Sequence, residues 1–235
     1  DEPALTFAAL NIDKDNRNNE LTVVSSGRSD GSHIATIEST LTLHKGILDY
    51  NSYNLHMHGD TIINKGALGK ADASGRIILN SASGQQLLIN SPLGDPTYGH
   101  VELNNSSGAL LDGDAHMDRF TLSSGIMDID KYLMSLDTNE VEGSGFDNSK
   151  MIKTAGNASD KGLRYNFTLS GDYSNYEIVY PFGTDDGGNK YTPGFVYVDG
   201  TALSGSGSFG ITPVPKEHPA TNPEFGFDVL DYYWK

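Results

Sequence analysis

The sequence contains no cysteine. Disulfide bonds, thiolate metal sites and cysteine nucleophiles are therefore excluded from the start. There is no run of about 18 apolar residues, the length at which a helix begins to span a bilayer, so no membrane insertion is expected. No signal peptide of basic, apolar and small-residue regions is visible either. The chain reads as a mature or excised piece of something longer. Positive charge is scarce: 16 Lys and Arg stand against 31 Asp and Glu, a formal net charge of −15. Such a surface repels phosphate backbones, which argues against nucleic acid as a partner, while it can attract divalent cations.

What is present points to strands. Hydrophobic residues make up 37% of the 235 positions, and they come in short clusters separated by Asn, Asp, Ser and many of the 27 glycines. That texture fits short strands joined by turns rather than helices. The length suits one large all-β domain or two modest ones.

An internal repeat organises the first two thirds. The segment LTLHKGILDYNSYNLHM (Leu41 to Met57) aligns without a gap with FTLSSGIMDIDKYLMSL (Phe120 to Leu136), at an offset of 79. Thr42, Leu43, Gly46, Ile47, Asp49 and Tyr53 recur as Thr121, Leu122, Gly125, Ile126, Asp128 and Tyr132. Leu41 and Leu43 alternate with polar residues, Leu48 and Tyr50 do so again, and so do Leu55 and Met57, so each trio of short strands turns one apolar side inward. Gly46 and Gly125 supply the corners, where positive φ is cheap for glycine. Weaker copies, RIILN, QLLIN, HVELN and ALLDG, lie between the two, and their closing Asn or Asp-Gly is expected to take the left-handed corner conformation. Strands of this kind stacked about 4.8 Å apart bury an inner column that one coil could not build alone. The expected fold is thus all-β: a parallel β-solenoid over residues 1–164. The rival is an ordinary β-sandwich of short hairpins.

The texture changes near Gly162. RYNFTLSG, NYEIVYPFG, YTPGFVYVDG and ALSGSGSFGIT read as longer, aromatic-rich antiparallel strands. VPKEHPATNPEFG reads as a proline-rich loop and VLDYYW as a last strand. About five strands fall short of the roughly seven of a usual sandwich, so residues 165–235 are expected to form an incomplete antiparallel β-sandwich. Its aromatic residues are expected to serve core and edge packing, with stacking of sugar rings as the alternative.

The two long copies resemble the rungs of large secreted surface proteins of Bacteroidota, which run as apolar-Thr-Leu, two small or polar residues, Gly, x, Leu, Asp, Leu, Asn. YPFGTDDGGNKYTP resembles their aromatic-Pro-x-Gly-Thr followed by Tyr-x-Pro, and DYYW resembles their closing Tyr-Trp strand. The resemblance implies a very long chain exported by the type IX secretion system, with a role in adhesion or gliding motility. It implies an extracellular, cell-surface location and no shared catalytic residues. No type IX signal is visible in the sequence.

Four stretches carry residues that could do chemistry. In NLHMHGDTI, His56, His58 and Asp60 resemble part of a metallo-hydrolase ligand set, but the next residue is Thr61 where such sites carry another His. The repeat pairs Leu55 and Met57 with Met134 and Leu136, which sends His56 and His58 outward, about 7 Å apart and too far for a tight chelate. Asp60-Thr61-Ile62 resembles the O-glycosylation acceptor of Bacteroidota, which makes Thr61 a candidate for modification. GTDDGGN offers Asp185, Asp186 and Asn189 as oxygen ligands for calcium, and Asn11 to Glu20 is a weaker loop of similar flavour. DGDAHMD sets Asp112, Asp114 and Asp118 around His116, which reads as a solvated corner before it reads as an acid–base site. No P-loop or serine nucleophile elbow is present in the sequence. The expected function is structural, a non-catalytic adhesive segment that contacts an extracellular glycan, a surface or other parts of its own chain. The alternatives are a carbohydrate-active enzyme on a parallel β-helix and a glycan- or calcium-binding module.

Overall fold

A computed structural model describes residues 5–16, 18–22, 34–71, 75–91, 97–138, 140–171, 173, 176–201, 203–216 and 233–235. The chain winds around three faces in a fixed order. The first turn is β1 (Leu5–Phe7), β2 (Leu10–Asp13) and β3 (Glu20–Thr22). The second is β4 (Ile34–Ile37), β5 (Thr40–Lys45) and β6 (Ile47–Asn51), and the third β7 (Asn54–Met57), β8 (Thr61–Asn64) and β9 (Leu68–Ala71). The fourth has β10 (Arg76–Leu79) and β11 (Gln86–Asn90), with Thr97 bridging the third face to Leu68 and His116. The fifth is β12 (His100–Asn104), β13 (Ala109–Asp112) and β14 (Ala115–Met117), and the sixth β15 (Arg119–Ser124), β16 (Met127–Asp130) and β17 (Leu133–Leu136). A last turn has Glu142 bridged to Thr121, then β18 (Ile152–Thr154) and β19 (Gly162–Gly171). Every pairing among these strands is parallel, from β1 on β4 to β17 on β19. The parallel β-solenoid is therefore the architecture.

Alternation sets which residues fill it. Leu41, Leu43, Leu48, Tyr50, Leu55 and Met57 are buried, as are Phe120, Leu122, Met127, Ile129, Met134 and Leu136. Each fully buried side chain of this size contributes about 1.5–3 kcal/mol before conformational entropy is counted. Along the first face Ile37, Met57, Leu79, Leu103 and Leu122 stack in register on successive turns. Their spacing along the chain is uneven, because the corners, not the strands, absorb insertions.

The repeat proves to be a unit of corners. Gly46 and Gly125 both have positive φ, at 110° and 88°. Asn51 and Asp130 are the two non-glycine residues with positive φ among the described residues, and they are equivalent in the repeat. In each copy the shared aspartate two residues earlier caps that corner: Asn51 N donates to Asp49 Oδ1 at 2.9 Å and Asp130 N to Asp128 Oδ1 at 3.0 Å. Tyr53 N then closes on Tyr50 O, and Tyr132 N on Ile129 O. The shared Gly, Asp and Tyr thus all serve one turn geometry. The copies do not occupy the same faces, however. Leu41 lies on the second face and Phe120 on the first, eleven face positions later, which is three full turns and two thirds of a fourth.

The corner asparagines differ from expectation. Asn80, Asn90 and Asn104 have no positive φ. Asn90 instead turns inward and is buried, where its Nδ2 donates to Leu88 O and Gly113 O, both at 3.3 Å, and its Oδ1 accepts the Tyr98 hydroxyl. A side-chain amide can satisfy backbone groups that a corner leaves unpaired, so Asn is used here for its hydrogen bonds rather than its backbone freedom. Asn64, its stacking partner one turn away, does the same with Gly66, Ala67 and Thr97. Tyr50 extends this buried polar seam. Its hydroxyl donates to Tyr98 O at 2.8 Å and accepts from His100 N at 3.0 Å, and burial pushes its ionisation far above the ordinary tyrosine value. Tyr50→Phe leaves His100 N without an acceptor and is expected to lower stability by about 1–3 kcal/mol, read as a shifted denaturant midpoint at unchanged slope.

The C-terminal part closes the stack with antiparallel strands. β19 pairs parallel with β17 through Tyr165, while from Leu163 to Gly171 it pairs antiparallel with β24 (Leu203–Ile211). The transition near residue 164 thus falls inside one strand. Around it lie the antiparallel pairs β20 (Tyr176–Tyr180) with β23 (Gly194–Val198), β21 (Phe182–Asp185) with β22 (Asn189–Tyr191), and β25 (Pro213–Val214) with β26 (Tyr233–Trp234). β21 also adds in parallel to β18, so the second face runs on beyond the expected boundary. Tyr165, Tyr180 and Phe182 are buried, whereas Phe195, Tyr197, Phe209 and Trp234 are exposed. Most of the expected proline-rich loop, and the start of the expected last strand, lie outside the described residues.

Candidate functional site

Among the described residues, the outer side of the third face carries the one cluster of three potential metal ligands. Parallel register places His116 beside Ser135 and then Arg164, and Met117 beside Leu136 and Tyr165. The next residues, Asp118, Asp137 and Asn166, therefore stand at one corner on three successive turns. The donor atoms of His116, Asp118 and Asp137 all lie within 4.8 Å of one another. His116 Nε2 is 2.9 Å from Asp137 Oδ1 yet makes no aligned hydrogen bond, and Asn166 Nδ2 donates to the same oxygen at 3.0 Å. An imidazole and two carboxylates form a donor set that suits a transition-metal dication better than calcium.

Stacking two aspartates on neighbouring turns has an electrostatic cost. Partial desolvation pushes the Asp118 carboxyl up from its ordinary value although the residue is exposed, Asp137 raises it further, and His116 offsets part of this. A carboxyl raised in the folded state favours folding in its protonated form. The ionised form therefore costs stability, and that cost grows as pH rises from the unfolded value near ~4 through the folded one. Asp118 is exposed, so solvent screening keeps the effect small: Asp118→Asn is expected to raise Tm by ~1 °C at pH 7 and to match the parent below pH ~3.5. An equal shift at both pH values in a calorimetric series would contradict this account.

The residues of NLHMHGDTI are held apart from this group. Leu55 and Met57 point inward, and the two histidines point outward as the repeat required. His56 Nδ1 lies 2.9 Å from the Asn80 amide and His58 Nδ1 3.4 Å from Glu38, with the rings edge to face at 6.4 Å. Asp60 accepts from Ser81 and Ser83 at 2.6 and 2.5 Å, bonds that hold its carboxyl below the ordinary range. The neighbouring Thr61 opens β8 half-buried, between Thr40 and Leu87 on the adjoining turns.

Asp185 ends β21 opposite Asn189, which opens β22, and Asp186 lies in the hairpin turn between them. Asp185 Oδ1 accepts from Gly188 N at 3.2 Å, and Asp186 pairs with Lys190 at 2.7 Å. In the Asn11 to Glu20 loop, Asn16 Oδ1 accepts from Asn18 N at 3.0 Å, and Asp15 offers its backbone oxygen to Lys45 at 2.8 Å. Of the DGDAHMD carboxylates, Asp112 accepts from Tyr132 and Asp114 from Lys161 and Leu133 N, so only Asp118 joins His116.

The first face holds a charged row that sequence reading missed. Arg76 pairs with Glu102 at 3.0 Å, and Arg119 with Glu142 at 2.8 Å. His100 lies among them, 3% exposed, with its Nε2 2.8 Å from Thr121 Oγ1. Burial, helped by Arg119, pushes this imidazole down to about 4. Burial would raise Glu142, but hydrogen bonds from Thr121 and Arg119 outweigh it and hold the carboxyl below its ordinary value. Both arginines are thus matched by a carboxylate on the neighbouring turn. The signal that could have assembled this row is the register of the first face, where Ile77 meets Val101 and Val101 meets Phe120.

Compared with family models, with curated proteins and with solved structures, the chain matches none.

Proposed function

We propose that the chain is a non-catalytic, rod-like segment of an exported cell-surface protein. The observation that carries this reading is the parallel stacking of three faces around one apolar column, with the third face bridged at Thr97 in the fourth turn, finished by antiparallel strands. A stack of this kind is stiff along its axis because each turn is held by backbone hydrogen bonds and by side chains from both neighbours. A net charge of −15 keeps it soluble and apart from its neighbours. Its own contacts with an extracellular glycan, a surface or other segments of its chain are weak and repeated, and gain strength by avidity. Export by the type IX route and a glycan on Thr61 belong to the same reading. Antibodies raised against the purified chain should label intact cells that produce it, and labelling only after lysis would overturn the reading.

The second reading, a carbohydrate-active enzyme, is favoured by the Arg76, Glu102, Arg119 and Glu142 row on neighbouring turns. Turnover of acidic polysaccharides that is lost in Glu142→Gln would replace the structural reading with this one.

A further inference from the structure

Where the last parallel turn meets β24, the surface opens into a pocket of about 610 Å³. That volume is within the range of small-molecule sites, roughly 300–1,000 Å³. Three of its lining residues are cationic, Lys161, Arg164 and Lys235, in a chain with only 16 Lys and Arg against 31 acids. Lys161 is held by Asp114 at 2.6 Å, and Lys235 Nζ rests on the backbone oxygens of Ala158 and Asp160. Arg164 differs from both. It stands exposed near the start of β19, and no hydrogen bond or ion pair engages its guanidinium among the described residues.

The wall behind these cations is polar and incompletely satisfied. Thr212 is 1% exposed and its hydroxyl has no hydrogen-bond partner. Asp160 is equally buried, with Oδ2 accepting from Asn157 N at 2.8 Å and Oδ1 unpartnered. Buried polar atoms without partners are uncommon in folded proteins and call for a specific cause. Ser208 adds a further hydroxyl to the lining. A planar fork of five N–H donors suits a carboxylate, sulfate or phosphate, which it can hold through two parallel bonds. Lys161 is balanced by Asp114, which leaves Arg164 as the principal cation, and the exposed hydroxyls of Ser159 and Ser208 suit a ligand with hydroxyls of its own.

We propose that this pocket binds an oxyanion carried on a small hydroxylated ligand, with Arg164 as the anchoring group. The net charge of −15 disfavours such ligands over most of the surface. The site is independent of the rod-like role. Its geometry arises only where the solenoid ends, because Arg164 comes from the last parallel turn while Ser208, Thr212 and Lys235 come from the closing strands and their ends.

The test is titration calorimetry of the full chain at low ionic strength with D-glucuronate, inorganic phosphate and D-glucose. Saturable binding of glucuronate or phosphate, with none of glucose, is expected. Glucuronate alone would mark an acidic sugar as the source of the oxyanion, and both would mark the oxyanion itself. Arg164→Gln should weaken binding at least tenfold, and Arg164→Lys should recover part of it, both with an unchanged melting temperature. Equal binding of glucose, equal affinity in Arg164→Gln, or no saturation by either anion at 10 mM probe (about ten times the weakest useful affinity) would overturn the proposal.

Discussion

Gly125→Ala is expected to destabilise the chain by at least ~3 kcal/mol, or about 10 °C in Tm for a chain of this size. Two terms add. Gly125 has φ +88°, a region that L side chains rarely occupy. A Cβ there would also stand 1.9 Å from Asn105 O and 3.2 Å from Gly108 Cα on the turn beneath. Asn105 cannot withdraw. It is buried, its Nδ2 donates to Gly84 O at 2.8 Å and Gln86 Oε1 at 3.2 Å, and its Oδ1 accepts from Ser107 N at 2.9 Å. Gly187 supplies the control, with φ +67° and nothing within 4 Å of its added Cβ. Gly187→Ala carries the backbone strain alone, ~1–2 kcal/mol. Equal losses in the two variants, compared by thermal melts, would mean that close stacking of turns is not what requires glycine at Gly125.

Phe120→Ala is expected to cost ~3–5 kcal/mol and to fall on the turns around it. Phe120 is fully buried on the first face, in register with Val101 on the turn before. In a stacked fold each turn contacts only its neighbours, so stability is lost locally first. Amide exchange should therefore speed up in β12 and β15 before it does in β5 and β8. The repeat sharpens this test, because Leu41 holds the equivalent position. Phe120→Leu should cost less than the alanine variant, as part of the volume is kept. Leu41→Phe should cost ~1–3 kcal/mol by overpacking, because the second face at that turn was never shaped for a ring. If Leu41→Phe is neutral, the two positions are interchangeable and the column is more plastic than its packing indicates.

Strand identity was legible because it depends on local signals. Period-two alternation at Leu41 and Leu43, or Phe120 and Leu122, decides which side chains enter the column, and Gly46 and Gly125 mark corners by backbone freedom alone. The outward turn of His56 and His58 followed from the same alternation. The face that each strand occupies was not legible. Turns of unequal length along the first face leave the register ambiguous, and an offset of 79 looks like whole turns until the strands are counted. Asn90 misled because asparagine fits corners for two reasons, and only burial shows that hydrogen bonding is the one in use. The His116, Asp118 and Asp137 group is assembled by the parallel register of β14 on β17, which nothing in either local segment announces. The cationic pocket is less legible still, since Arg164 and Lys235 are joined only by the way the closing strands fold back.

The one-third-turn displacement between the repeat copies limits how any one partner can engage both. Matching residues in the two copies look out in different directions, like marks on the thread of a screw rather than notches along a ruler. A flat surface pressed against one copy leaves the other turned aside. Avidity from equivalent sites therefore requires a partner that wraps the circumference, or one flexible enough to follow the thread, since multivalent gain vanishes when geometry forbids simultaneous engagement.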